Sequence, residues 1–186
     1  MFSSEEQLKK RTPKEGIDRR EFISLLVDEY YENISGNLEA QQQVTANLAN
    51  FAYDPINWGY LKQAKAHELF VEILSEAYDT QLLNHAAAGI CNICLDPQIK
   101  DYFLQSGLPK HLSLLVIKHK NNHGLIGHVL TTLILLNQNL IEDKEFLKTL
   151  EGLRTSEHKI CSNLATVLLE DNAAHQRASQ QQDCNR

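Results

Sequence analysis

The sequence predicts an all-α fold, a short right-handed solenoid of about three to four stacked helical units. Three observations predict it. The stretch ANLANFAYDP (Ala46 to Pro55) returns 42 positions on (92 minus 50) as AGICNICLDP (Ala88 to Pro97), setting Asn50 on Asn92, Asp54 on Asp96 and Pro55 on Pro97. The register then continues ungapped, with Tyr60 on Tyr102, Phe70 on Leu112, Ile73 on Leu115 and Leu74 on Val116. Within each copy the apolar residues recur at helical spacing. A helical period in the forties is the mark of stacked repeats, each too small to bury its own apolar face.

The elements follow in order. RREFISLLVDEYYENI predicts an N-terminal capping helix pair, with Phe22, Leu25, Leu26 and Tyr30 on one face. Each full unit then reads as three helices. A short first helix follows Asp-Pro, because proline is tolerated in an opening turn and the aspartate can cap it. A second helix carries Leu69, Phe70, Ile73 and Leu74, or Leu112, Leu115 and Val116, as its apolar face. Gly107-Leu108-Pro109 breaks the first helix from the second. The third helix carries the asparagine and stops at the next Asp-Pro, since the residue before proline is pushed out of helical conformation. A third copy is worn: VLTTLILLNQN places Leu135 where the asparagine belongs. Asn163, in CSNLATVLLED, comes only 28 residues later (163 minus 135), so the intervening helices are expected to be shortened or fused. The repeat domain is expected over 17–172, with disordered tails at 1–16 and 173–186.

Composition narrows the function classes. The 186 residues carry 24 acidic and 18 basic side chains, a formal charge of −6, which argues against a surface dedicated to phosphate backbones. The N-terminus has no apolar signal core. The longest apolar run, from Gly124 to Leu136, is too short to span a bilayer and contains His128. A soluble intracellular protein is expected, which leaves the sequon at Asn33 without meaning. Of the four cysteines, Cys91 and Cys94 form a C-x-x-C within a helical pattern, Cys161 lies in another apolar run and Cys184 in the polar tail. No second ligand pair at zinc spacing accompanies them, and buried cysteines on helices commonly serve as small apolar residues. No nucleophile–base set or Gly-rich phosphate loop is present. An enzyme is the least supported class, and no cofactor is expected.

The pattern Ala-Leu-x-Asn-Leu-Ala, then Gly/Asp-x-Pro, a helix, Gly-x-Leu-Pro and an apolar helix resembles that of armadillo repeats. The resemblance covers about Phe22 to Asp171. It is carried by QVTANLANFAYDPINWGYL (Gln43 to Leu61), DPQIKDYFLQSGLPKHLSLLV (Asp96 to Val116) and SNLA (Ser162 to Ala165). It implies an armadillo-type solenoid without catalytic activity. The narrowest likeness, at Gln43 to Leu61, is to a small family member of the minor spliceosome. That likeness implies a role in pre-mRNA splicing beside an RNA-recognition-motif protein, RNA-binding motif protein 48, near the capped end of a small nuclear RNA. Other spliceosomal proteins are implied as partners, and contact with the small nuclear RNA is expected to be indirect. Nuclear residence is implied, with or without a cytoplasmic pool; no membrane and no small-molecule substrate are expected.

In such a stack the third helices line one concave surface. Residues four apart share a helix face, so Ala46 and Asn50, Ala88 and Asn92, and Thr131 and Leu135 form successive rungs, with Asn163 beyond. Gln43, His85 and His128 extend the column by one turn. An asparagine amide offers donors and an acceptor and can hold a peptide unit by its N–H and C=O. Three to four rungs at helix spacing of about 8–10 Å make a groove for roughly nine extended residues. The alternative is structural: Asn50, Asn92 and Asn163 bond to the backbone of the adjacent repeat and hold the stack together. Asn47, one residue out of line, reads as a local cap or an inter-repeat contact. Trp58 and Tyr60 read as inter-repeat packing or as an interface anchor. Glu68, Glu72, Glu76 and Asp79 read as a solvated edge that can also steer a basic partner.

Two further readings compete with the adaptor. Direct RNA binding needs a basic, aromatic-rich face, and the placed rungs hold no Arg or Lys. Reading of a basic targeting peptide is implied by resemblance to the importin branch of the armadillo superfamily, whose groove carries a tryptophan column, and Ala46 and Ala88 stand at those positions.

Overall fold

The computed structural model describes residues 2–3, 6–7, 16–33, 36–136 and 143–183. Among these there are no strands. The α-helices in order are α1 (Arg19–Glu32), α2 (Leu38–Ala52), α3 (Trp58–Gln63), α4 (Ala66–Glu76), α5 (Thr80–Ile93), α6 (Pro97–Gln105), α7 (Leu108–Lys118), α8 (His123–Leu136), α9 (Lys144–Arg154) and α10 (Lys159–Asp183). No helix among the described residues is long and apolar enough to cross a membrane. The chain divides into two compact units, Met1–Tyr102 and Phe103–Arg186, with the boundary inside α6.

In the first unit α2 packs chiefly on α5, α4 on α5, and α1 against α2 and α3. Its core is Leu48, Ala52, Leu61, Leu69, Phe70, Leu83 and Ile90, all essentially inaccessible to water. Side-chain caps start the helices where the sequence supplies them. Asp18 accepts from the Glu21 N–H at 2.8 Å, and Asn37 from Ala40 at 3.1 Å. Asp79 accepts from Gln81 and Leu82, and Asp96 from Gln98 and Ile99. The capping helix turns a different face inward from the one expected. Ile23, Leu26, Val27 and Tyr30 are buried, whereas Phe22 and Leu25 are exposed. Both stripes contain Leu26 and Tyr30; consecutive apolar residues made the period ambiguous, and i, i+3, i+4, i+7 from Ile23 is the geometrically regular choice.

The second unit pairs α7 with α8 and α9, α8 with α10, and α9 with α10. Leu125, Ile126, Val129 and Leu130 on α8, Phe146 and Leu150 on α9, and Cys161 and Ala165 on α10 fill its core. One helix, α9, is all that the described residues place between Leu136 and Lys159, where a full repeat has two.

Some described residues of the two expected tails make contacts or continue a helix. Near the N-terminus the Ser3 N–H donates to an Asp54 carboxylate oxygen at 3.0 Å, and the Phe2 ring packs on Tyr53 at 5.8 Å between centroids. The Asp54 carboxylate caps through one oxygen, and Ser3 uses the other. The segment 173–186, read as disordered, continues as α10 to Asp183. Ala173, Ala174 and Arg177 are strong helix formers, so a Gln-rich composition does not by itself stop the helix. Cys184 and the Ile34-Ser35 part of the sequon lie outside the described residues.

The repeat register is visible in backbone geometry. Gly107, between α6 and α7, has φ +73°; 42 residues earlier, Lys65 occupies the same place between α3 and α4 with φ 59°. A left-handed conformation costs an L-residue about 1–2 kcal/mol and glycine essentially nothing. The Lys65–Glu68 ion pair at 3.5 Å is solvent-exposed and offsets little of that. Lys65→Gly is therefore expected to stabilise the protein by about 1 kcal/mol, raising the melting temperature by roughly 2–4 °C. A scanning-calorimetry melt checks it; an unchanged or lower transition would show that the backbone there is not strained.

Candidate functional site

The last four carbonyls of an α-helix have no partner within it, and the α2 terminus shows where they go. Ala49 O accepts from Asn92 Nδ2 at 3.0 Å, from α5. Asn50 O accepts from the Tyr53 N–H at 3.3 Å. Phe51 O accepts from Asn57 Nδ2 at 2.9 Å, and Ala52 O from Trp58 Nε1 at 2.8 Å. Each acceptor is met by a different device, two of them supplied by the PINW turn after Asp54. Asn57 also accepts from Arg19 Nη1 at 3.1 Å, and that guanidinium stands 5.5 Å from the Phe51 ring centroid. One buried side chain thus joins the capping helix to the end of α2. In the next repeat the carbonyl equivalent to that of Ala49 is Cys91 O, which takes a hydrogen bond from Cys94 Sγ at 3.3 Å.

Gln43, Ala46 and Asn50 lie on α2, and His85, Ala88 and Asn92 on its neighbour α5. Gln43 is exposed and donates to Asn47 Oδ1 at 3.2 Å, which gives Asn47 a local partner. Ala46, His85 and Ala88 are half-buried; Asn50 is exposed, and its amide has no hydrogen bond among the described residues. His128, Thr131 and Leu135 lie on α8 of the second unit, all half-buried, and Asn163 is exposed on α10. Thr131 spends its hydroxyl on the Gly127 carbonyl at 2.8 Å. Burial pushes the His128 imidazole below its ordinary pKa, so it is a neutral ring near pH 7. Trp58 and Tyr60 are half-buried in the first unit. Burial pushes the Cys94 thiol up to about 12, leaving no thiolate at neutral pH. Among the described residues no three His, Cys, Asp or Glu groups are placed to hold a metal ion.

The fold also assembles something that no sequence window contains. In the second unit a cleft of about 840 Å³ opens between the end of α7 and α9, lined by Lys120, His123, Lys144 and Lys148 with one acidic residue, Glu145. The His123 ring stacks on His158 at 4.4 Å. The lysines are scattered over 120–148 and form no run; only the packing of α9 on α7 brings them to one cleft.

Part of the chain is 44% identical over 75 residues to Armadillo repeat-containing protein 7 of Mus musculus, a stretch that is 40% of this chain and 36% of that protein. The match thus spans about a third of the curated relative's length. A crystal structure of an engineered protein superposes with a TM-score of 0.67 at 21% identity, covering 82% of this chain and 62% of that one. No family model matches the sequence. The chain is an all-α protein built of repeated helical units.

Among the described residues the Asn92 amide has a structural partner 43 residues away (92 minus 49), whereas the Asn50 amide, on the preceding rung, has none. Asn92→Ala removes the donor and leaves Ala49 O short of a partner, a loss of about 1–2 kcal/mol. Asn50→Ala is expected to leave stability within about 0.5 kcal/mol of wild type. Urea titrations of the two variants compare these directly. Equal losses would mean that the Asn92–Ala49 bond contributes nothing of its own.

Proposed function

We propose that this chain is a non-enzymatic protein–protein interaction adaptor. It acts in pre-mRNA splicing as a component of the minor spliceosome, with an RNA-recognition-motif partner, RNA-binding motif protein 48, in the nucleus. The observation that carries the reading is the 44% identity to Armadillo repeat-containing protein 7. It is joined by the likeness of the Gln43–Leu61 stretch to a splicing member of the armadillo family. The exposed, unengaged amide of Asn50 supports a groove that holds a linear segment by its backbone, since that carboxamide is free to pair with a peptide unit.

The test is affinity purification of tagged protein from its own cells after nuclease treatment, with Asn50→Ala in parallel. Asn50 is the suitable probe because its removal costs no internal hydrogen bond. Recovery of an RNA-recognition-motif protein and splicing factors by wild type, reduced for Asn50→Ala, is the expected result. Equal recovery by both keeps the adaptor and removes the asparagine from the interface; no splicing proteins at all would overturn the splicing role.

A second reading, direct contact with RNA, is favoured by one observation, the cleft of Lys120, Lys144 and Lys148. Each phosphate contact on a single strand contributes roughly 0.7 to the slope of log affinity against log salt. If the cleft binds RNA, neutralising all three lysines to Gln lowers that slope by about 2. An unchanged slope dismisses the cleft as an RNA site.

A further inference from the structure

The first unit carries a pocket whose electrostatics are left unbalanced. It holds about 360 Å³ and is walled by Tyr30 of α1, Gln41 of α2, Glu72 and Glu76 of α4, and Tyr78 and Asp79 of the α4–α5 connection. Glu72 and Glu76 stand four residues apart in the last turns of α4. That placement is unfavourable twice: like charges at this spacing repel, and acidic groups sit badly at the negative pole of a helix. No lysine or arginine stands in the final turn to offset it. Among the described residues no Lys, Arg or His lies within ion-pair distance of Glu72, Glu76 or Asp79. Among the described residues Glu72 accepts only from the Tyr31 hydroxyl, at 2.8 Å. Asp79 commits one carboxylate oxygen to the α5 cap and to Gln42 Nε2, which leaves it the other. Burial, then the negative field of Glu72 and Glu76, pushes the Tyr30 hydroxyl above its ordinary pKa.

A second, independent feature points to a ligand. Gln41 is only 8% exposed, lines the pocket, and its carboxamide has no hydrogen-bond partner among the described residues. Neither of its polar atoms is sealed from solvent. A buried amide that keeps its hydrogen-bonding capacity in an acidic pocket is a ready acceptor. Local rules broken without internal compensation are expected at functional sites.

We infer that this pocket receives an arginine side chain presented by a segment of a partner protein. The acceptors are a carboxylate pair, a third carboxylate and a carboxamide oxygen, spread around a cavity and not converging as metal ligands would. A guanidinium matches such a spread, because it presents five donors in a planar fork and is weakly hydrated; an ammonium is a compact, strongly hydrated point charge. The walls suit the same group. Tyr30 forms part of the wall, and Tyr78, also among the lining residues, is 92% exposed, so its ring is open to stacking by a planar cation. Leu38, exposed at the rim, covers the arginine's methylene stem. The inference rests on the adaptor reading only in taking the cation to belong to a protein.

The test is an amide-resolved NMR titration of the full chain with a capped Gly-Ser-Arg-Ser-Gly peptide, beside versions carrying lysine or citrulline at the centre. Saturable shifts at Tyr30, Gln41, Glu72 and Tyr78 are expected for arginine, weaker ones for lysine and none for neutral citrulline. Glu72→Gln/Glu76→Gln is expected to bind the arginine peptide roughly tenfold more weakly. A thermal melt of that variant matching wild type separates lost binding from lost folding, because the carboxamide that replaces the Glu72 carboxylate still accepts from Tyr31. Non-saturating shifts, equal shifts from citrulline or lysine, or undiminished binding by the folded double variant would each overturn the inference. The two proposals fail separately. A blank titration with partners recovered equally by wild type and the double variant removes the pocket alone; a positive titration with no protein partner recovered removes the adaptor and leaves the pocket.

Discussion

Asn57→Ala is expected to destabilise the protein by about 2–3 kcal/mol, lowering the melting temperature by roughly 5–10 °C. The residue is 2% exposed and uses both ends of its amide, donating to Phe51 O at 2.9 Å and accepting from Arg19 Nη1 at 3.1 Å. The second bond involves a charged donor, for which the net contribution is about 1.5–3 kcal/mol. The first loses less, since Phe51 O keeps the Asp54 N–H at 3.3 Å. Asn57→Asp separates the halves: a carboxylate still accepts from Arg19 but cannot donate to the Phe51 carbonyl. A double-mutant cycle with Arg19→Ala, read by denaturant unfolding, gives the coupling. A coupling near zero would mean that Arg19 is satisfied by solvent and that Asn57 serves only α2.

Gly89→Ala is expected to cost about 2 kcal/mol, although alanine ordinarily stabilises a helix interior by about 0.5–1 kcal/mol over glycine. A methyl placed on Gly89 would run into the Phe70 ring, touching three of its carbons at distances no real Cβ adopts. Phe70 is fully buried, so the ring has nowhere to go. Overpacking at such a site typically costs about 1–3 kcal/mol, and here the upper part of that range applies. A drop of roughly 4–8 °C in melting temperature follows. In a Phe70→Leu background the same Gly89→Ala change should cost far less, because the smaller side chain vacates the contact. If the loss is the same in both backgrounds, the clash is not its cause.

The two predictions lie on opposite sides of what the sequence could reveal. Asn57 lies within a legible stretch: the Asp-Pro stop, the 42-residue register and the helix that follows were all readable, because caps, proline geometry and i, i+4 periodicity act over a few residues. Its partner Arg19 was not readable, being 38 residues away (57 minus 19) on a helix whose inward face was itself ambiguous. Gly89 offered no local signal, since a glycine inside a helical pattern looks the same whether or not a phenylalanine ring presses on it. The asparagine ladder was legible as a spacing but not as a set of bonds. Only packing of α5 on α2 shows that Asn92 serves Ala49 O while Asn50 stands unengaged.

By itself the sequence determined the all-α class, the repeat length, the positions of the helix breaks and the worn third copy, for these follow from patterns that short-range sterics and hydrogen bonding impose. It also marked the break between paired helices at Gly107, though not that the chain turns left-handed there or that Lys65 accepts the same geometry. The tertiary structure alone decided which carbonyls the asparagines meet. It alone gathered Lys120, Lys144 and Lys148 around one cleft, and Gln41, Glu72 and Glu76 around one pocket. The physical reason is the same in each case. Secondary structure is selected by neighbours along the chain, but partners, clefts and unbalanced charges are created where segments dozens of residues apart come into van der Waals contact.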